Sequence, residues 1–491
     1  MWHVACIRHG IEIHEAGGMG TVGINFGSAT SGAGFDVSST VNAIVANLKS
    51  VETPWQNQLT SLKAEDTAFT SIGSDLSTLA TSLQSLTDFQ GVMASKLGSS
   101  SNTNVVTLTS AGATAVAGNH AIVVSRMAQT SSYSTNAIAA GDTLSGGLTI
   151  QVGNGAATTI PAIAGESDTL ATYAGAINAA GIGVTASVIT DSQGSRLSIV
   201  SGTSGAAGQL TVTAGGTVPA SGSAPATSYG SLTDSATSSA MALNQGSAGQ
   251  DALLTVDGVD IDSASNTVSS AIPGVTFQLL SADPSTTVQV QIANDNNTVA
   301  TAFSSLVSAY NTVAKDLKAQ EGNDSSGKPE PLFGSPIVSQ LQSALSLALT
   351  SGAASGGIGN LAQLGISVNL DGTLALNTSA LNSALNSNYS DVVGFLQNSG
   401  SFGQTFQNTL DTLGSQTPTG ALTLVLASDA AQEKTLNNSI TAEDAIIATQ
   451  QTKLTNELNS ANQILQAIPQ QLNEIDELYN ALTGYSPNSK G

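Results

Sequence analysis

Catalysis or metal binding in this sequence would have to start from four histidines, one cysteine and a few clustered aspartates. Three of the histidines (His3, His9 and His14) share the first 18 residues with Cys6. One cysteine with scattered histidines lacks the ligand spacing of a zinc site. His120 falls in an alternating, strand-like run with no acid or nucleophile beside it in the sequence. It reads as a strand residue and not as a general base. Asp257, Asp260 and Asp262 cluster, but the spacing and closing glutamate of an EF-hand calcium loop are missing. Gly27-Ser28-Ala29-Thr30-Ser31-Gly32 has the outline of a phosphate loop, yet Ala33-Gly34 stand where Lys-Ser/Thr is required. Without a nucleophile–base pair, a metal cluster or a cofactor loop, the sequence argues against an enzyme. No cofactor is expected.

Composition narrows the partners. There are 34 Asp+Glu against 12 Lys+Arg, a formal net charge of −22, although only 9% of residues are charged. The surface must therefore be built from Ser, Thr, Asn, Gln and Ala, and the chain does not read as a disordered polyelectrolyte. No basic patch is present to neutralise phosphates, so nucleic acid is not an expected partner. No run of eighteen apolar residues occurs, so no membrane span is expected. At 491 residues, the usual domain size suggests about three domains. Residues 1–18 differ in composition from the rest and lack the apolar core and cleavage site of a secretory signal. The expectation is a mis-called extension, with Met19 as the true start. Beyond it the chain has no cysteine, which suits a disulfide-free extracellular protein and equally a cytoplasmic one.

The elements that position everything else lie at the two ends. On a seven-residue step the stretch from Thr53 to Phe89 places Trp55, Leu62, Phe69, Leu76 and Leu83 in one register. The register three residues on holds Ile72, Leu79 and Leu86, after two polar breaks at Gln58 and Glu65. Such 3–4 spacing makes a narrow apolar seam that another helix must cover. Thr53-Pro54 has the look of an N-cap with proline at the first helical position. A helix from there to Phe89 would be about 50 Å long. The far end repeats the pattern with Ile440, Ile447, Leu454, Ala461, Ile468, Ile475 and Leu482. Leu458, Leu465, Leu472 and Tyr479 fill the alternate positions. Each series alone would suit an ordinary bundle helix; both together favour a paired coiled-coil stalk with the rest of the chain inserted. Pro469 should kink or break the second helix.

Between the ends the period changes. Val184, Ala186 and Val188, then Leu197 and Ile199, then Leu210 and Val212 alternate with polar residues, bounded by Gly and Ser. These are strands of an all-β head. Leu170, Tyr173 and Ile177 are at helical spacing after Ser167-Asp168, a candidate cap. Asp257-Gly258 reads as a tight hairpin turn. Val299, Phe303, Leu306, Val307, Tyr310, Val313 and Leu317 return to helical spacing. The expected class is α+β and multidomain: a terminal α-helical coiled-coil stalk, its N- and C-terminal heptad helices paired, carrying inserted and mainly antiparallel β heads. The expected divisions are a flexible tail with a short heptad segment at 19–53, a helical stalk at 54–92 with 294–435, and an inner β head at 93–130 with 248–293. An outer β head at 131–247 and a coiled-coil leg at 436–491 complete it.

Several motifs carry a resemblance. Ser31-Gly32-Ala33-Gly34-Phe35-Asp36-Val37, followed by Ile44, Leu48, Glu52 and Pro54, resembles the start of the flagellar filament-capping family, also called flagellar hook-associated protein 2. Ala117-Gly118-Asn119-His120-Ala121-Ile122-Val123-Val124 is similar to a strand of that family, with His120 in its aromatic place. The stretch from Thr169 through Ile177-Asn178 to Gly202 resembles the Ile-Asn motif of hook-associated proteins and some flagellins. Asp251–Gly258, Asn266–Phe277 with its Ile-Pro-Gly-Val turn, Tyr310-Asn311 and the Leu364-Gly365-Ile366 … Asp371-Gly372 block continue the likeness to about Leu482. The short C-terminal stretch after Leu482 departs from the family's fuller tail.

The resemblance implies a structural cap at the filament tip that helps exported flagellin fold and insert, and keeps it from being lost. It implies a ring-like homo-oligomer, commonly a pentamer in the family, with the two apolar series above as its coiled-coil contacts. Flagellin, the hook-associated junction proteins and a flagellar export chaperone are the implied partners, and a host or surface receptor would be a further one for the head. The implied location is extracellular, on the bacterial flagellum at the filament tip, reached without a cleaved signal peptide. A hook–filament junction protein and a surface adhesin acting through the Ser/Thr-rich head are the alternatives.

Overall fold

The computed structural model describes residues 34–161, 168–221, 225–414 and 418–484. The readings placed on Met19, on residues 1–18, on Ser31 to Ala33 and on Ser167 lie outside them. Nine α-helices are present among the described residues: α1 (Val37–Lys49), α2 (Thr53–Thr87), α3 (Leu170–Ala179), α4 (Asn296–Ala319), α5 (Pro336–Ala348), α6 (Thr378–Ser387), α7 (Tyr389–Gln397), α8 (Phe402–Leu413) and α9 (Ala421–Thr483). Three separate apolar cores organise them and the strands.

The first core is helical. From Phe69 to Leu86 the apolar face of α2 is shut in by α4, α8 and α7. Phe303, Val313 and Leu317 of α4, Phe402 and Phe406 of α8, and Leu422 at the start of α9 complete it. Phe402 stacks on Phe395 of α7, with ring centroids 5.1 Å apart. Above Phe69 the burial of α2 fades: Leu62 is buried, Trp55 is half-buried and Gln58 is exposed. The two polar breaks in the heptads therefore fall where α2 leaves the helical core. The start of α2 differs from the expected cap. Thr53 is itself helical, and the preceding residue is Glu52, with helical φ/ψ and no side-chain cap. The reason is the joint with α1, closed by i→i−3 backbone bonds from Ser50, Val51, Glu52 and Thr53. No extended residue is left to act as a cap.

The second core lies between antiparallel β-strands. A five-stranded sheet runs in the order Lys96–Ser100, Asp283–Asn294, Gly118–Arg126, Ala252–Val256, Val259–Ser263. A three-stranded sheet, Thr267–Ile272, Val275–Leu279 and Val106–Ala111, packs with it around Phe277, Ile122 and Val290. Asp257 and Gly258 both have positive φ, 54° and 83°, as the tight hairpin between Val256 and Val259 demands.

The third core belongs to residues between those strands. A four-stranded sheet orders Leu243–Ser247, Thr130–Thr135, Gly194–Ser204 and Val184–Asp191, and α3 packs on its edge. The cap of α3 is Thr169, which forms a reciprocal capping box with Thr172, and not the expected Ser167-Asp168. Ile177 is fully buried. Asn178 donates to the Ala186 carbonyl and accepts from its N–H, both at 2.8 Å, so its amide stands in for a missing neighbouring strand. That double bond is the physical content of the Ile-Asn pair.

Each excursion closes at a neck. Gln129 and Gln250 exchange backbone bonds of 2.9 and 3.2 Å where the outer unit leaves the inner one. Asp295 N–H donates to the Ser95 carbonyl at 3.0 Å where the inner unit leaves the helices.

Candidate functional site

The surface that could act is the long helix α9. It runs unbroken from Ala421 to Thr483 with Pro469 inside it, so the expected break does not occur. The missing proline N–H costs one backbone bond, and helix continues on both sides. Along α9 the cover changes. Its first turns pack on α2 and α8, and its middle packs on α1, which is joined to it at both ends. Asn462 accepts a bond from the Phe35 N–H at 2.9 Å, and Lys49 pairs with Asp444 at 3.0 Å. The Asp444 carboxylate holds the Lys49 ammonium above its ordinary range. Ile447 is buried; Ile440, Leu454, Leu458, Leu465 and Ile468 are half-buried.

Past Pro469 the register emerges into solvent. Leu472 is 45% exposed, Ile475 63%, Tyr479 60% and Leu482 86%. Ile475, Leu478, Tyr479 and Leu482 line a shallow groove with Gln471 and Glu474. Their i, i+3, i+4, i+7 spacing makes one apolar stripe. Leu478 and Ile464, both exposed, are large apolar residues off the seven-residue registers, and strict heptad counting passes over them.

The chemistry-capable residues are placed as follows. His120 does have an acid beside it: Nδ1 lies 2.7 Å from Asp257 Oδ2, while Asp257 Oδ1 accepts from the Ala121 N–H. The sequence hid this because the partner is 137 residues away, on the hairpin turn. The two bonds, His120 first, hold the Asp257 carboxyl below its usual range. The pair fastens the turn to the neighbouring strand, and His120 remains a strand residue. Asn311 accepts from the Leu374 N–H at 2.6 Å and donates to its carbonyl at 2.8 Å, tying α4 to the hairpin Ile366–Leu376. Among the described residues no helix is long and apolar enough to cross a membrane.

A long helix whose apolar stripe the described residues leave uncovered, in a chain with one helical core and two β cores, is the architecture of a structural scaffold. The comparisons with known proteins agree. The flagellar hook-associated protein 2 N-terminus matches residues 33–131, and the flagellar hook-associated protein 2 C-terminus matches residues 249–483. The B-type flagellar hook-associated protein 2 of Pseudomonas aeruginosa is 32% identical over 363 residues, 69% of this chain and 74% of that protein. The flagellar hook-associated protein 2 of Escherichia coli K12 is 29% identical over 382 residues, 74% of this chain and 78% of that protein. The crystal structure of the D1-D2-D3 domains of the flagellar cap protein FliD from Escherichia coli covers 74% of this chain and 99% of its own. It does so with a TM-score of 0.55 and 26% identity. The chain belongs to the flagellar hook-associated protein 2 family.

Proposed function

We propose that this protein caps the distal tip of the bacterial flagellar filament, where it promotes folding and insertion of exported flagellin and prevents its loss. Family membership and the likeness to the cap structure support a structural role on the flagellum. Neither a hook–filament junction protein nor an adhesin is favoured by those relatives. The observation that carries the reading within this chain is the uncovered stripe of α9. An apolar helix face that the described residues leave uncovered is a surface suited to cover by a partner on assembly. The stripe, with the half-buried series above it, forms the contact between copies of this chain in a ring or between the cap and flagellin. The three separate cores support the division into a helical stalk (54–92, 294–435), an inner head (93–130, 248–293) and an outer head (131–247), and the leg (436–491) contributes no residue to any of them. Hook-associated junction proteins and an export chaperone complete the partner set. The protein acts outside the cell.

The test uses Ile475→Asp in a cell whose only copy carries it. A charge forced into an apolar contact costs several kcal/mol. Flagellin should then be exported but accumulate in the medium as monomer, with filaments short or missing. Ser460→Asp, on an exposed position of the same helix, should leave filaments normal. Normal filaments with Ile475→Asp would overturn the assignment of the stripe as the working contact.

A further inference from the structure

Along the helical stalk, α2 meets its neighbours through carboxyl groups in two places. Asp75 faces Asp316 of α4, and Asp66 faces Asp429 of α9, each within hydrogen-bonding reach. Asp429 is 7% exposed. Asp66 Oδ1 and Asp75 Oδ2 are both buried with no donor directed at them. Every charged group acting on these sites has the same sign. Asp316 acts on Asp75; Asp429 acts on Asp66 and, together with Asp66, on the half-buried Glu65; Asp66 and Glu433 act on Asp429. Among the described residues, no lysine, arginine or histidine is among the groups acting on Glu65, Asp66, Asp75 or Asp429. Two carboxylates this close repel when both are ionised and bond when they share one proton.

We propose that the two aspartate pairs form a proton-operated latch, in which protonated Asp75 and Asp66 hydrogen-bond to Asp316 and Asp429 and so tie α2 to α4 and to the base of α9, and loss of those protons loosens the leg from the stalk. The latch lies within the helical stalk and does not depend on the capping role. At the α9 pair Asp66 and Asp429 hydrogen-bond to each other, and Gln432 Nε2 also donates to Asp429 Oδ1 at 3.3 Å. Burial is the first cause of elevation at Glu65, Asp66, Asp75 and Asp429, and Asp75 is pushed up to about 6.

These carboxyls bind protons more tightly folded than unfolded, so the folded chain gains stability as pH falls through about 6 toward about 4. It loses that contribution as pH rises above about 6. Asp295, Asp371 and Asp324, whose hydrogen bonds hold them below the usual range, oppose this only under about pH 4.

Thermal unfolding of the full chain, followed by helical circular dichroism at constant ionic strength, tests the latch. The midpoint at pH 5 should exceed that at pH 8 by at least about 3 °C. Asp75→Asn and Asp429→Asn should each raise the pH 8 midpoint and shrink the step, since a neutral amide keeps the shape and removes the repulsion. Asp476→Asn, at an exposed position of α9, removes the same formal charge and should leave the step intact. In carbon-detected NMR, one aspartate carboxyl should titrate near pH 6 in the parent and be absent in Asp75→Asn. A flat midpoint between pH 5 and 8 would overturn the proposal. So would a step that survives both asparagine variants, or one that Asp476→Asn shrinks equally.

Discussion

From Phe69 to Leu86 the apolar residues of α2 are shut inside the helical core, while from Leu472 to Leu482 those of α9 stand largely in solvent. In the sequence the two series share one seven-residue step. The difference lies in what each helix passes. α2 runs between α4, α7 and α8, which come from the same chain. The distal end of α9 runs on beyond α1, and none of the described residues covers it. A repeat of apolar residues thus records that a stripe needs cover, and says nothing about whose surface provides it. The helices of the same chain cover one stripe, and among the described residues the other is left exposed.

Three substitutions can break or sharpen that contrast. Leu79, fully buried on α2, should cost about 2–5 kcal/mol as Leu79→Ala, read as a drop in the urea midpoint of the helical signal. A loss under about 1 kcal/mol would mean the α2 face is as loosely covered as that of α9. Pro469→Ala should restore the missing backbone bond and stabilise the distal helix locally by up to about 3 kcal/mol. The readout is slower hydrogen exchange of amides from Gln470 to Thr483, with the global midpoint unchanged. Unchanged exchange there would show that the distal turns are already fixed by packing. Ile475→Asp should alter the stability of the isolated chain by less than about 0.5 kcal/mol, because the side chain has little cover to lose. A larger loss would show that the stripe is covered within the monomer.

Much of this architecture was legible in the sequence, for identifiable reasons. The helix α2, the Asp257-Gly258 hairpin and the return to helix at Val299 each rest on local periodicity or turn chemistry, which needs no tertiary knowledge. The Ile-Asn and Tyr-Asn pairs were visible as motifs, but the bonds of Asn178 to Ala186 and of Asn311 to Leu374 were not. An amide that replaces a neighbouring strand is recognised only when its target is in place. Relations across the fold stayed hidden for the same reason. Asp66 and Asp429 come from opposite ends of the chain, as do Lys49 and Asp444, and no spacing rule links them. The cap of α3 was missed by one residue, because Asp168 and Thr169 are both good caps and only the Thr172 partnership decides between them. The polar breaks at Gln58 and Glu65 held more information than their irregularity suggested, since they mark where α2 leaves the core.

The two necks bear on how the chain reaches its native state. Gln397 of α7 donates to the carbonyls of Leu86 and Asp88, contacts separated by 311 and 309 residues. Closing a flexible loop of that length directly is slow, because the entropy is lost before any contact rewards it. The necks remove the obstacle in stages. Once Gln129 and Gln250 meet, the outer unit is a closed knot of structure and no longer a length of loose chain. Once Ser95 and Asp295 meet, the ends of α2 and α4 are brought together almost for free. The order of events should therefore run from the tip of the head inward to the stalk. Pulse-labelled exchange would reveal it as protection of strand Gly194–Ser204 before that of Phe69 to Leu86.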